Sequence, residues 1–215
     1  MKNSPILAVV LASAFLTGCA TMYYNTMEKF GVHKRDIMVD RVKEARDAQQ
    51  EAGKEFANAL EQFKSVVEVK GGDLEAKYNK LNSALQRSET RAGEVRDRIA
   101  AVESVSSALF KEWKTELKQY GNPELRKASE QQLKDAQGRY RELIAAMKKA
   151  ESRIDPVLQP LRDQVLFLKH NLNAKAIGGL TSEVASIQSK VNDLVRDIDA
   201  AVREADAFIA SLKNG

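Results

Sequence analysis

Residues 181–213 read TSEVASIQSKVNDLVRDIDAAVREADAFIASLK, and this stretch decides the fold. Val184, Ile187, Val191, Leu194, Ile198, Ala201, Ala205, Phe208 and Leu212 recur at spacings of three and four without a slip. One apolar stripe therefore runs the length of a helix, while charged and small polar residues fill the rest of its circumference. A mean repeat of about 3.5 residues, kept over about four heptads, predicts left-handed packing of the coiled-coil type against other helices.

The same pattern recurs upstream. Tyr78, Leu81, Leu85, Ala92, Val95, Ile99, Val102, Leu109 and Trp113 form a second seam, interrupted by Ser88 and Ser106. Leu133, Ala136, Tyr140, Leu143, Met147, Ala150, Ile154, Val157, Leu161, Leu168 and Leu172 form a third. The first seam is weaker: Met38, Val42, Ala45, Ala52, Phe56, Leu60, Phe63 and Val67, with Gln49 among them. Gly71-Gly72, Gly121-Asn122-Pro123 and Gly178-Gly179 are the strong breakers. They predict helical segments over about 24–70, 73–120, 123–177 and 181–213, with Asp73, Asn122 and Thr181 as start signals and Pro123 at a first helical position. Only 11 Gly and 4 Pro in 215 residues leave too few turns for a sandwich or barrel, and 43% hydrophobic residues are too many for a disordered chain. Short connections make consecutive helices antiparallel neighbours. The predicted fold is all-α, an elongated antiparallel coiled coil or four-helix up-down-up-down bundle. Pro156 and Pro160 fall inside the third segment, so that helix is expected to be kinked or broken near Pro156, a restart using Asp155 as cap.

The N-terminus has a different grammar. Met1-Lys2-Asn3 is a short basic start, and the apolar run from Ile6 to Leu16 has the length of a signal-peptide core rather than of a membrane span. It ends in Leu16-Thr17-Gly18-Cys19, which resembles the bacterial lipobox. That resemblance implies that residues 1–18 are cleaved and that Cys19 is acylated on its sulfur and new amine. Three acyl chains exceed the two signals that stable anchoring requires. Ala20, in place of Asp, implies an outer-membrane destination with the body in the periplasm. Residues 19–36 then form a membrane-proximal segment and 37–215 the bundle. In that segment Tyr23, Tyr24, Lys29, Phe30, Lys34 and Arg35 combine rings with cations, which suits either a bilayer interface or a cap on the end of the bundle.

Candidate chemistry is sparse. A net charge of +4, spread over the whole chain, is a mixed surface rather than a nucleic-acid footprint. The single Cys excludes a multi-thiolate metal site. His33 and His170 have no second His at ligand spacing and read as surface residues. Asp193, Asp197, Asp199, Glu204 and Asp206 lie in an unbroken heptad pattern without the glycine of a calcium loop, and are expected to be a solvated helix face. No phosphate-cradling loop or nucleophile elbow is present. The expectation is a protein without catalytic residues, cofactor or metal.

The run YYNTMEKFGVHKRDI at residues 23–37, continuing through Val39-Asp40-Arg41-Val42 and Ala45 to Gln49, resembles the start of an uncharacterised family of Gram-negative lipoproteins built on a helical domain of unknown function. The resemblance covers nearly the whole chain after Cys19 and implies no activity. Together these readings predict a non-enzymatic lipoprotein, held in the outer membrane by acyl chains on Cys19. Its helical rod would act as a scaffold or spacer that binds another envelope protein through an apolar stripe left over from bundle packing. An alternative is a chaperone or transport accessory that holds clients in a groove lined by Phe56, Phe63, Met147 or Trp113. A second alternative is a non-covalent cell-wall tether. Homo-oligomers are compatible with the same seams, which also pair between chains.

Overall fold

The computed structural model describes residues 33–68 and 74–213. Within them the chain forms α1 (Lys34–Val67), α2 (Leu74–Glu116), α3 (Pro123–Ser152), α4 (Ile154–His170) and α5 (Ala174–Lys213), with a 3-10 turn at Leu117–Gln119. There is no strand among the described residues. Helices α3 and α4 follow one another as a single jointed rod, so the architecture is four rods. At about 1.5 Å per residue, the 43 residues of α2 span roughly 65 Å.

Cross-helix pairs fix the topology. Lys34, the first residue of α1, bonds Glu112 near the end of α2, and Lys77 at the start of α2 donates to the Ser65 carbonyl near the end of α1. Arg46 of α1 meets Asp206 late in α5, while Arg162 in the middle of α4, late in the third rod, meets Glu89 in the first half of α2. Successive rods therefore run antiparallel, up-down-up-down, and α1 closes the ring by packing on both α2 and α5.

The seams read from the sequence are the core. Met38, Val42, Phe56, Phe63, Leu81, Ile99, Leu143, Met147, Leu161, Leu168, Ile187 and Leu194 are buried, as are the smaller members between them. Each large apolar side chain sealed this way contributes about 1.5–3 kcal/mol, which is what holds helices far longer than their intrinsic propensity would support. Leu172 departs from its expected seam: it is 37% exposed because the third rod ends at His170. Gln49 is buried, and its Nε2 donates to the Met147 carbonyl at 3.2 Å, while its Oε1 has no partner.

The third rod is broken rather than smoothly bent. Helix α3 stops at Ser152 and α4 begins at Ile154, with Arg153 shared between them as a cap. Pro156 has no amide proton, and its ring would clash with the Ser152 carbonyl in a continuous helix. The backbone answers by tightening: the Arg153 amide donates to the Ala150 carbonyl at 3.1 Å, a three-residue rather than four-residue closure. The restart differs from expectation by one or two residues. Asp155 is inside α4 rather than its cap, and Pro156 is the third helical residue, where its missing donor would have had no acceptor anyway.

A second boundary is moved further. Gly178-Gly179 does not break the last rod; α5 starts at Ala174 and runs through both glycines and through Thr181. The third rod instead ends at Asn171, whose amide donates to the Leu168 carbonyl and whose side-chain Nδ2 donates to the Phe167 carbonyl at 2.9 Å. Asn173 then accepts the Ile177 amide at 3.2 Å, starting α5. Asn171, whose side chain satisfies a free carbonyl, and the backbone turn through Asn173 thus outcompete two glycines whose penalty is only backbone entropy. The turn at Gly121 behaves as expected. Asn122 caps α3, its Oδ1 accepting the Glu124 and Leu125 amides at 2.9 and 3.3 Å, with Pro123 at the first position. The expected start signal at Asp73 lies outside the described residues.

Candidate functional site

The bundle has two poles. The near pole gathers the start of α1, the end of α2, the start of α3 and the end of α5. The far pole gathers the end of α1, the start of α2, the end of α4 and the start of α5. The chain enters α1 at the near pole, through His33.

At the near pole the seams open into a cleft of about 350 Å³. Leu109, Phe110, Trp113, Phe208 and Leu212 form its apolar walls, and Arg35, Asp135 and Arg139 stand at its rim. Phe110 packs edge-on against Tyr140 at 5.5 Å, and the Trp113 indole N–H donates to Ser129 Oγ at 2.8 Å. Trp113 is therefore half core and half cleft wall.

Two of the predicted interface residues fall inside the described region. Lys34 does not face outward: it is the first residue of α1, only 3% exposed, with its ammonium 2.8 Å from Glu112. Its role is to cap the end of the bundle, and the helix starts before the boundary expected at residue 37. Arg35 is exposed and contributes to the cleft rim. Leu16, Thr17, Gly18, Cys19, Tyr23, Tyr24, Lys29 and Phe30, with the cleavage point after residue 18, lie outside the described residues.

The expected solvated acidic face on α5 is only partly so. Asp199 and Asp206 are exposed, but Asp197 is 3% exposed and sits between Lys149 at 2.9 Å and Arg153 at 3.1 Å. Burial alone would raise the Asp197 carboxyl, but the hydrogen bonds from Lys149 and Arg153 outweigh it and hold the group below the usual aspartate range. On the opposite side of the same rod, Asp155 pairs with Arg96 of α2 at 2.7 Å. The break at Arg153 is thus clamped from two neighbouring rods. The sequence offered one signal of this: Asp197 stands one residue before the seam position Ile198, on the edge of the apolar stripe.

The far pole carries a different feature. Leu166 is 62% exposed, Phe167 44% and Leu172 37%, three large apolar side chains within seven residues of the α4–α5 connection. Lys169 and His170 are exposed beside them. Phe56, Phe63 and Met147, predicted to line an open groove in the client-holding alternative, are completely buried instead, because the seams of opposing rods close over them. Trp113 is the one residue of that set on a cleft.

Among the described residues no group of three or more His, Cys, Asp or Glu side chains is placed to hold a metal ion. Nor is any of the described helices long and apolar enough to cross a membrane. His33 serves as the residue before α1, its carbonyl accepting the Asp36 and Ile37 amides.

Comparison with curated proteins finds no match. A family model does match, and it spans residues 23–212, from the first tyrosine after the lipobox-like motif to the last seam leucine. The chain therefore belongs to the DUF2959 family, proteins of unknown function.

Proposed function

We propose that this protein is a non-enzymatic envelope lipoprotein, anchored through acyl chains on Cys19, whose closed helical rod acts as a spacer presenting its far pole to another envelope protein. The observation that carries this reading is the separation of the two ends. The chain enters at one pole, and the exposed Leu166, Phe167 and Leu172 lie toward the other. Helix α1 alone covers roughly 50 Å between them. An exposed apolar group of this kind, clustered at one end of the rod, supports an interaction site there. The sealed core leaves the exposed surface as the part of the rod that meets other molecules, which supports a positioning role. The leader-like residues 1–18 and the lipobox-like ending at Cys19 support an outer-membrane location with the rod in the periplasm.

Two experiments test the two halves. Mass spectrometry of the protein from cells should find residue 19 as an acylated N-terminus, and Cys19→Ser should release the chain from the membrane fraction. A Cys19→Ser variant that still sediments after a high-salt wash sinks the anchor. Photo-crosslinkable residues at Phe167 and Leu172 should capture one envelope protein, and the same probe at exposed mid-rod positions such as Glu142 should not. A ladder of unrelated adducts along the rod would favour the client-holding alternative, centred on the Trp113 cleft.

A further inference from the structure

The hairpin joining α2 to α3 is exposed in a way that bundle packing does not use. Every residue from Lys118 to Ala128 is exposed, including Tyr120 at 42% and Leu125 at 57%. The pairing of Lys34 with Glu112 and the shared cleft of Leu212 with Gln132 and Ala136 show that this hairpin projects beyond both Lys34 and Leu212. It is nonetheless well built. Asn122 caps α3 with two amide bonds, and the Trp113–Ser129 bond ties the two helices together at the base. Two apolar side chains are thus held in water on a rigid tip.

Cations surround them. Lys111 and Lys114 at the end of α2 and Lys118 in the 3-10 turn after it follow one another at spacings of three and four and are exposed on one side. They border a shallow depression with Phe110 and Thr115. Lys127 is exposed two residues after Leu125. None of these four lysines makes an ion pair among the described residues, while the nearby Glu112 is taken by Lys34 and Glu130 by Arg126. Glu116 and Glu124 are the opposing carboxylates, so the tip is net positive.

We infer that this hairpin tip docks on a bilayer surface carrying anionic phospholipid. The four lysines neutralise headgroup phosphates, and Tyr120 and Leu125 enter the interfacial layer. The occupant follows from the chemistry of the tip: an excess of cations beside one aromatic and one aliphatic group, on the pole where the chain enters α1. Among the described residues the far-pole patch has no such lysine row. The inference rests on the proposed anchor only for which pole faces the bilayer. It would add a second, reversible attachment that holds the rod upright on its acyl chains.

The test uses the chain from residue 20 onward, which keeps every described helix and lacks Cys19, sedimented with vesicles of phosphatidylcholine alone or with added phosphatidylglycerol. Failure here leaves acylation of Cys19 untouched, and an unacylated Cys19 in cells leaves vesicle binding standing. Binding is expected only with phosphatidylglycerol and should weaken as salt rises. Lys111→Glu, Lys114→Glu and Lys118→Glu combined should weaken it by about tenfold or more. Tyr120→Ser with Leu125→Ser should weaken it comparably, with unchanged Trp113 emission and helicity showing that the tip remains folded. Leu166→Ser with Phe167→Ser should bind as the parent does. Equal binding to both vesicle types, a triple-glutamate variant that binds normally, or loss of binding in the far-pole variant alone would overturn the inference.

Discussion

Residues 153–156 and 178–179 look alike as sequence, since each interrupts an apolar repeat with residues that disfavour helix. The structure treats them oppositely. At Pro156 the rod breaks, with Arg153 taking the joint, whereas α5 passes through Gly178-Gly179 without interruption. The difference is one of size: the rod relieves the proline clash by breaking at Pro156, although α4 accommodates Pro160 in its interior, whereas packing absorbs the glycine penalty without a break. Proline removes a donor and places a ring against the carbonyl four residues back, at a cost of about 3 kcal/mol in a helix interior. Each glycine costs about 1 kcal/mol of backbone entropy. Burial of Ile177, Leu180 and Ile187 on the same helix outweighs that.

The strongest way to break the comparison is to remove the packing that makes the joint tolerable. Ile154 is the first residue after the break and is 1% exposed, so Ile154→Ala should destabilise the protein by about 2–4 kcal/mol in urea unfolding. A loss below about 1 kcal/mol would mean that the joint is not packed as described. Next in size is the clamp. Asp197→Asn removes the negative charge between Lys149 and Arg153 and turns one of its two acceptor oxygens into a donor facing a cation, so a loss of about 1–3 kcal/mol is expected at neutral pH.

That loss should depend on pH in a definite direction. The folded Asp197 carboxyl is held below its unfolded value, which is about 3.9 for aspartate. Its contribution is therefore complete above that value and disappears as pH falls through the lower, folded one. The gap between parent and Asp197→Asn should be full at pH 7 and narrow below about pH 4. A gap that stays constant into strong acid would show that the ion pairs are not its source.

The glycine side of the comparison gives smaller effects of the opposite sign. A Cβ added at Gly178 or Gly179 meets nothing within 4 Å, and neither has a left-handed φ. Gly178→Ala and Gly179→Ala should each stabilise by about 0.5–1 kcal/mol. Destabilisation would place a turn there after all. Gly53 is the smallest case. Its added Cβ would sit 3.5 Å from Ile198 Cδ1, an ordinary contact, so Gly53→Ala should gain between zero and about 1 kcal/mol in thermal unfolding.

What could be read from the sequence follows the same physics. The seams were legible because a repeat of three and four is set by helix geometry itself, and Val184 to Leu212 leave no other face to bury. The α2–α3 turn was legible because Asn122 and Pro123 act locally. The α4–α5 turn was not, because Asn171 and Asn173 compete with Gly178-Gly179 and tertiary packing decides between them. The burial of Lys34 and of Asp197 was hidden for a related reason. A charged residue beside a seam is exposed unless a partner on another rod reaches it, and Glu112, Lys149 and Arg153 are distant in sequence. The Tyr120–Leu125 tip and the Leu166–Phe167 patch were equally hidden, since apolar residues announce burial until the packing leaves them outside.

The joint at Arg153 also has a mechanical meaning. Three of the four struts are unbroken helices, and the fourth is two pieces of 30 and 17 residues held in line by side chains from its neighbours. Under tension along the axis an intact helix shares load over many backbone bonds in series, but the jointed strut concentrates it on one loosened turn and on the Asp197 and Arg96 ties. Pulling the molecule by its ends would therefore yield first at the joint, hinging the two pieces of that strut apart while α1, α2 and α5 still span it.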